Sequence, residues 1–89
     1  MTQAKLEIVN IKGLHARASA KLVEVVEAFD ARATVSKDGM SASGDSIMGL
    51  LMLAAPLGSF IEVETSGSDA VALMQAIKAL LADKFGEGA

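Results

Sequence analysis

Four segments of this chain alternate in polarity, and in each the positions off the apolar face are nearly all polar. They are Lys5-Leu6-Glu7-Ile8-Val9, Ala33 to Lys37, Met40 to Ser43 and Phe60 to Thr65. A period of two marks a β-strand with one buried face. Leu6, Ile8, Val35, Ile61 and Val63 would point inward, while Lys5, Glu7, Thr34, Ser36, Ser41, Ser43, Glu62 and Glu64 would point outward. A sheet that is polar on one side meets water there, so every helix must pack on the other side.

The period changes between the strands. From Ala16 to about Phe29, apolar residues at Ala18, Leu22, Val25, Val26 and Phe29 recur at helical spacing. Asp38-Gly39 joins two alternating segments and is a strong two-residue hairpin signal, because both turn positions need positive φ. Ser46 is a good N-cap for a short helix from Ile47 to about Leu53, which Ala55-Pro56-Leu57-Gly58 ends. Ser68-Asp69 caps a last helix whose stripe is Leu73, Met74, Ile77, Leu80 and Leu81. The order is β-α-β-β-α-β-α. The predicted fold is α+β: a two-layer open-faced sandwich in one domain over 1–89, with a four-stranded, mostly antiparallel sheet and three helices on one face. Residues 85–89 are expected to fray as a tail.

Composition excludes several functions. The chain has 89 residues and no cysteine, so neither a disulfide nor a thiolate metal site is available, and the folded state rests on packing alone. A domain this small buries only roughly 60–70% of its unfolded surface. The net charge of −3 and the scattered Lys and Arg lack the basic face of a nucleic-acid binder. The longest uncharged apolar run, Ile47 to Leu57, is too short to insert across a membrane, and the N-terminus lacks the blocks of a signal peptide. These features predict a soluble cytoplasmic protein. No carboxylate pair, metal-ligand set, catalytic triad or phosphate-binding glycine loop is spaced for chemistry, so neither a metal nor a cofactor is expected, and a self-contained enzyme is not.

Two motifs stand out. His15, the only histidine, lies in Gly13-Leu14-His15-Ala16-Arg17, between a glycine loop and a helix start. The first helical turn, the Ala16 N–H included, presents amides without intrahelical partners and partial positive charge. Such a terminus receives anions and suits a neutral, nucleophilic imidazole. Arg17 adds a guanidinium able to grip phosphate oxygens in two places. The second motif is Ile47-Met48-Gly49-Leu50-Leu51-Met52-Leu53, which contains no polar side chain. A short helix in a two-layer domain buries one stripe, so another apolar stripe either faces outward as a partner surface or is covered as well, as by dimerisation.

In these two motifs the sequence resembles the HPr family of the bacterial phosphoenolpyruvate-dependent phosphotransferase system. Gly13 to Arg17 is similar to its phosphohistidine motif, and Ser46-Ile47-Met48-Gly49-Leu50 to its regulatory-serine and partner-helix motif. The resemblance spans essentially the whole chain. It implies a monomeric carrier, not an enzyme, that accepts a phosphoryl group on His15 Nδ1 from phosphorylated Enzyme I and passes it to EIIA-type domains. It implies that Arg17 steadies the group and that Ile47, Met48, Leu51 and Met52 form the docking patch. In many members a dedicated HPr kinase/phosphorylase modifies the serine matching Ser46. The family's usual proline after the arginine is here Ala18, which leaves open whether the branch is sugar uptake or nitrogen regulation. The rival from another class is a ferredoxin-like ligand-binding or regulatory interaction module, which shares the order of elements but needs no His and Arg at a helix start.

Overall fold

A computed structural model describes residues 1–87. The elements follow the expected order: β1 (Thr2–Glu7), α1 (Ala16–Glu27), β2 (Arg32–Lys37), β3 (Met40–Ser43), α2 (Ile47–Met52), β4 (Phe60–Ser66) and α3 (Ala70–Ala82), then a 3-10 turn at Lys84–Gly86. The four strands form one antiparallel sheet in the order β1-β4-β2-β3. Asp38 and Gly39 adopt φ of 51° and 83° in the β2–β3 turn, as a tight hairpin requires.

Register explains the two faces. Val35 pairs with Val63 on one side and Ala42 on the other, and Leu6 pairs with Ile61. This row faces the helices, and Val35, Ile61 and Val63 are buried with Leu22, Leu50, Leu73 and Ile77. On the opposite face Lys5 meets Glu62, Thr34 meets Glu64 and Ser36 meets Glu62. None of these outward side chains is buried, so polar cross-strand pairs cover the wet side.

Three local expectations need correction. The first strand occupies Thr2–Glu7 rather than Lys5–Val9. Its partner β4 begins at Phe60, opposite Glu7, so the ladder stops there and runs back to pair Thr2 with Thr65. Asp69 stands at the N-cap of α3, but its side chain makes no cap bond. The carboxylate instead accepts the Asp30 N–H at 2.8 Å, tying the segment after α1 to the start of α3. The third concerns the frayed tail. Phe85 is 1% exposed and completes the core, with Ile77 and Leu81 preceding it at four-residue intervals. The Lys21 Nζ on α1 donates to the Phe85 carbonyl at 2.6 Å. Phe85 is therefore packed and Glu87 half-buried, with Gly86 exposed between them, and 88–89 lie outside the described residues.

Candidate functional site

The loop before α1 is fixed from two sides. Gly13 has φ of +66°, and a Cβ there would lie 2.4 Å from the Ala55 carbonyl oxygen. Only glycine allows that approach and that backbone conformation together. The neighbouring Leu14 N–H then donates to the Ala55 carbonyl at 2.8 Å. From the other side the fully buried Asn10 donates its Nδ2 to the Gly13 carbonyl at 2.8 Å.

This loop delivers His15 as the N-cap of α1, with extended backbone at φ −81° and ψ −177°. Ser, Thr, Asp and Asn are the usual residues at such a position. Here Nδ1 accepts the Arg17 N–H at 3.3 Å, and the His15 carbonyl accepts the Ser19 N–H at 2.8 Å. The imidazole thus faces the orphan amides of the first turn. Its side chain is 26% exposed. Ala16 and Arg17 are both exposed beside it.

The other ring nitrogen reaches a residue that sequence reasoning missed. His15 Nε2 is hydrogen-bonded to Glu87 Oε2. Asn10 Nδ2 donates to Glu87 Oε1 at 2.9 Å, so one buried amide holds both the loop and the carboxylate. Its two acceptors fix which way the amide faces, while the Asn10 Oδ1 is buried with no partner among the described residues. Donation from Asn10, ahead of the effects of His15 and Lys12, holds the Glu87 carboxyl below its ordinary value of 4.5, against opposing desolvation. Ile11, Lys12, Arg17, Lys21, Gly86 and Glu87 line a cleft of about 430 Å³, so three cations and this carboxylate share its wall. The missed signal was Phe85, an aromatic four residues beyond Leu81, which implies that the chain around it is packed.

The second motif forms as read. Ser46 caps α2, its Oγ accepting the Gly49 N–H at 3.1 Å. A Cβ on Gly49 would stand 3.0 Å from the Ala42 Cβ, so the helix sits close on β3. Leu50 and Leu53 are buried. Met48 is 70% exposed, Met52 67% and Ile47 40%, with Leu51 half-buried at the margin. The exposed stripe meets the histidine's surroundings through the segment that follows α2. Ala54, Ala55 and Pro56 share a shallow hollow of about 190 Å³ with Lys12, Leu14 and His15. The two motifs, 31 residues apart from His15 to Ser46, are thereby joined across Gly13 and Ala55.

Among the described residues, no three His, Asp or Glu side chains cluster so as to hold a metal ion, and no helix is long and apolar enough to cross a membrane. The arrangement can present one nucleophilic imidazole to an anion, beside an apolar surface.

Comparison with known proteins identifies the family. The family model described as the PTS HPr component phosphorylation site matches residues 2–83. The phosphocarrier protein HPr of Cupriavidus necator is 46% identical over 88 residues, covering 99% of each chain. The phosphocarrier protein NPr of Shewanella violacea is 41% identical over 85 residues, covering 96% of this chain and 93% of its own. The crystal structure of HPr-C-His from Thermoanaerobacter tengcongensis superposes with a TM-score of 0.93 at 33% identity, covering 98% of both chains. With the same fold and a match over nearly the whole of each chain, the chain belongs to the HPr family of phosphocarrier proteins of the phosphotransferase system.

Proposed function

We propose that this chain carries a phosphoryl group on His15, accepting it from phosphorylated Enzyme I and donating it to EIIA-type domains. The observation that carries the reading is the placement of His15. It is an N-cap whose Nδ1 faces the first-turn amides, with its ring partly exposed and an exposed cation, Arg17, two residues on. An N-cap accepts a hydrogen bond through a lone pair, and the same lone pair is what attacks phosphorus. Once the group is attached, its oxygens can take over the amides of Ala16 and Arg17. The Arg17 guanidinium then offers charge-assisted bonds to the same oxygens.

Docking falls to Ile47, Met48, Leu51 and Met52. Apolar side chains exposed to this degree on one short helix favour a protein partner, and methionine adapts to partners of different shape. One such patch suits a carrier that must meet a donor and an acceptor in turn. Ser46 is its control point: a kinase acting there would place roughly −1.5 to −2 charges beside Ile47 and Met48. Both branches fit the relatives, one named HPr and the other NPr.

The test is incubation with Enzyme I and labelled phosphoenolpyruvate, followed by acid and base treatment. Label on His15 is acid-labile and base-stable, whereas phosphoserine behaves the other way. Absence of acid-labile label in a folded sample defeats the reading.

A further inference from the structure

The C-terminal turn packs back over the site, and its last described side chain touches the histidine ring. Phe85 is buried beneath it, Lys21 holds its carbonyl, and Asn10 holds the Glu87 carboxylate. Glu87 is only 15% exposed, against 26% for His15. We infer that Glu87 is a positioning residue for phosphoryl transfer: its carboxylate, clamped by Asn10, orients the His15 ring with the proton on Nε2 and the lone pair on Nδ1.

The chemistry of the two contacts requires this. An ionised carboxylate only accepts, so Nε2 must carry a hydrogen to bond Glu87. A backbone N–H only donates, so Nδ1 must offer a lone pair to Arg17. Opposite edges of the ring therefore specify one tautomer and one orientation. With Nε2 engaged, Nδ1 is the nitrogen left to face the first-turn amides. A ring free to flip would turn its Cδ2–H edge toward those amides and take Nδ1 away from them.

The carboxylate also matches the charge that develops. On attack, the Nδ1 lone pair forms the N–P bond, while the bond from phosphorus to the donor breaks and its electron pair leaves with the donor. No proton moves on His15, so the ring keeps Nε2–H and becomes cationic. Glu87 faces that cation through the Nε2–H bond, much as carboxylates support catalytic histidines elsewhere. On onward transfer the N–P electron pair returns to Nδ1 and the ring is neutral again. Asn10 acts one step further out, as the group that fixes the carboxylate.

This inference rests on His15 being the phosphoryl site, and the experiment separates the two. The full chain, with ¹⁵N-labelled imidazole, is compared with Glu87→Ala and Glu87→Gln. Nitrogen NMR of the unphosphorylated proteins reads which ring nitrogen carries the proton. Transfer from phosphorylated Enzyme I is measured over a range of carrier concentrations. Wild type should show Nε2 protonated and Nδ1 bare. Glu87→Ala should mix the two states and lower kcat by about tenfold or more, with KM unchanged because the docking helix is untouched. Glu87→Gln, which keeps an acceptor but no charge, should retain the wild-type tautomer and recover part of the rate. A phosphorylated wild type whose imidazole spectrum and kcat are both indifferent to Glu87→Ala overturns this inference alone. A wild type that accepts no phosphate overturns the reading of His15 and the transfer role of Glu87 with it.

Discussion

His15 on α1 and Ser46 on α2 are both N-caps that accept a first-turn amide, at 3.3 Å and 3.1 Å. Neither helix has an acidic residue in its first turn. The surroundings separate them. Lys12 shares a hollow with His15, the exposed Arg17 follows two residues on, and the Glu87 carboxylate bonds the far edge of the ring. Beside Ser46 the helix continues directly into exposed Ile47 and Met48. Two similar caps therefore do different work. At α1 the capping atom is a nucleophile facing backbone amides, with Arg17 close by in sequence, able to exchange an amide bond for a phosphoryl group. At α2 the capping atom is a hydroxyl that holds one turn of helix together so that its outer stripe can meet a partner. A negative charge suits the first site and spoils the second as a contact surface.

The largest effect should come from His15→Ala. Transfer should stop, while the fold survives with a loss of about 0.5–2 kcal/mol, the range for losing an N-cap. Labelling with phosphoenolpyruvate and thermal melting read the two parts. Activity in the folded variant would erase the difference between the caps. Arg17→Ala should come next, leaving His15 phosphorylatable but slower. One charge-assisted bond is worth about 1.5–3 kcal/mol, or roughly 10- to 150-fold in rate. Unchanged rates in both directions would make Arg17 a solvated cation only.

The other side of the comparison is broken by Met48→Glu. With the side chain 70% exposed, melting should barely change, while affinity for Enzyme I falls several-fold or more because docking would desolvate the new charge. A variant that unfolds would place Met48 in the core. Ser46→Asp should act in the same direction and less strongly, raising KM for phosphorylation with helix content unchanged. Aspartate still caps the helix but brings less charge than phosphate. Equal rates for wild type and Ser46→Asp would leave Ser46 as a cap alone.

Local pattern was enough for much of this molecule. The strands, the Asp38-Gly39 turn, the one-faced sheet and the capped short helix all depend on neighbours within a few residues, where periodicity and turn chemistry speak directly. For the Met-rich helix the pattern required only that one stripe lie outside; which stripe came from the family resemblance, and the structure buries Leu50 and exposes Met48 and Met52. What escaped depends on distant partners. Thr2 and Gln3 are polar and become strand only because β4 runs alongside them. Asp69 reads as a cap, yet its carboxylate is drawn to the Asp30 amide. Glu87 sits in a glycine-flanked tail, and its partners Asn10 and His15 are 77 and 72 residues away. No local pattern records such a pairing, and only the burial of Phe85 makes it geometrically possible.

The smallest effect should belong to Ala18→Pro, and it probes the two caps at equivalent positions. Ala18 is the third residue of α1, as Gly49 is of α2. Gly49 uses its amide, donating it to Ser46 Oγ. At α1 the cap bond goes to the Arg17 amide and the next bond runs from Ser19 to the His15 carbonyl, leaving no bond to the Ala18 amide among the described residues. Proline at 18 therefore removes a donor that the helix does not use and restricts the unfolded chain, a gain of about 0.4–1 kcal/mol where the geometry allows it. Against this, Ala18 is fully buried, and a ring that crowds its neighbours would cost about 1–3 kcal/mol. The first-turn position decides for tolerance, because φ is already helical and no bond is lost. The expected outcome is a melting temperature within about 8 °C of wild type, the shift that 1 kcal/mol produces at the upper end for a domain this size. Transfer should be unaffected. Gly49→Pro, the matched change at α2, should cost at least about 1 kcal/mol, since it removes the amide that Ser46 caps. If Ala18→Pro proves the more damaging of the pair, the Ala18 amide or its packing matters more than the bonding pattern allows, and the two helix starts are not built as described.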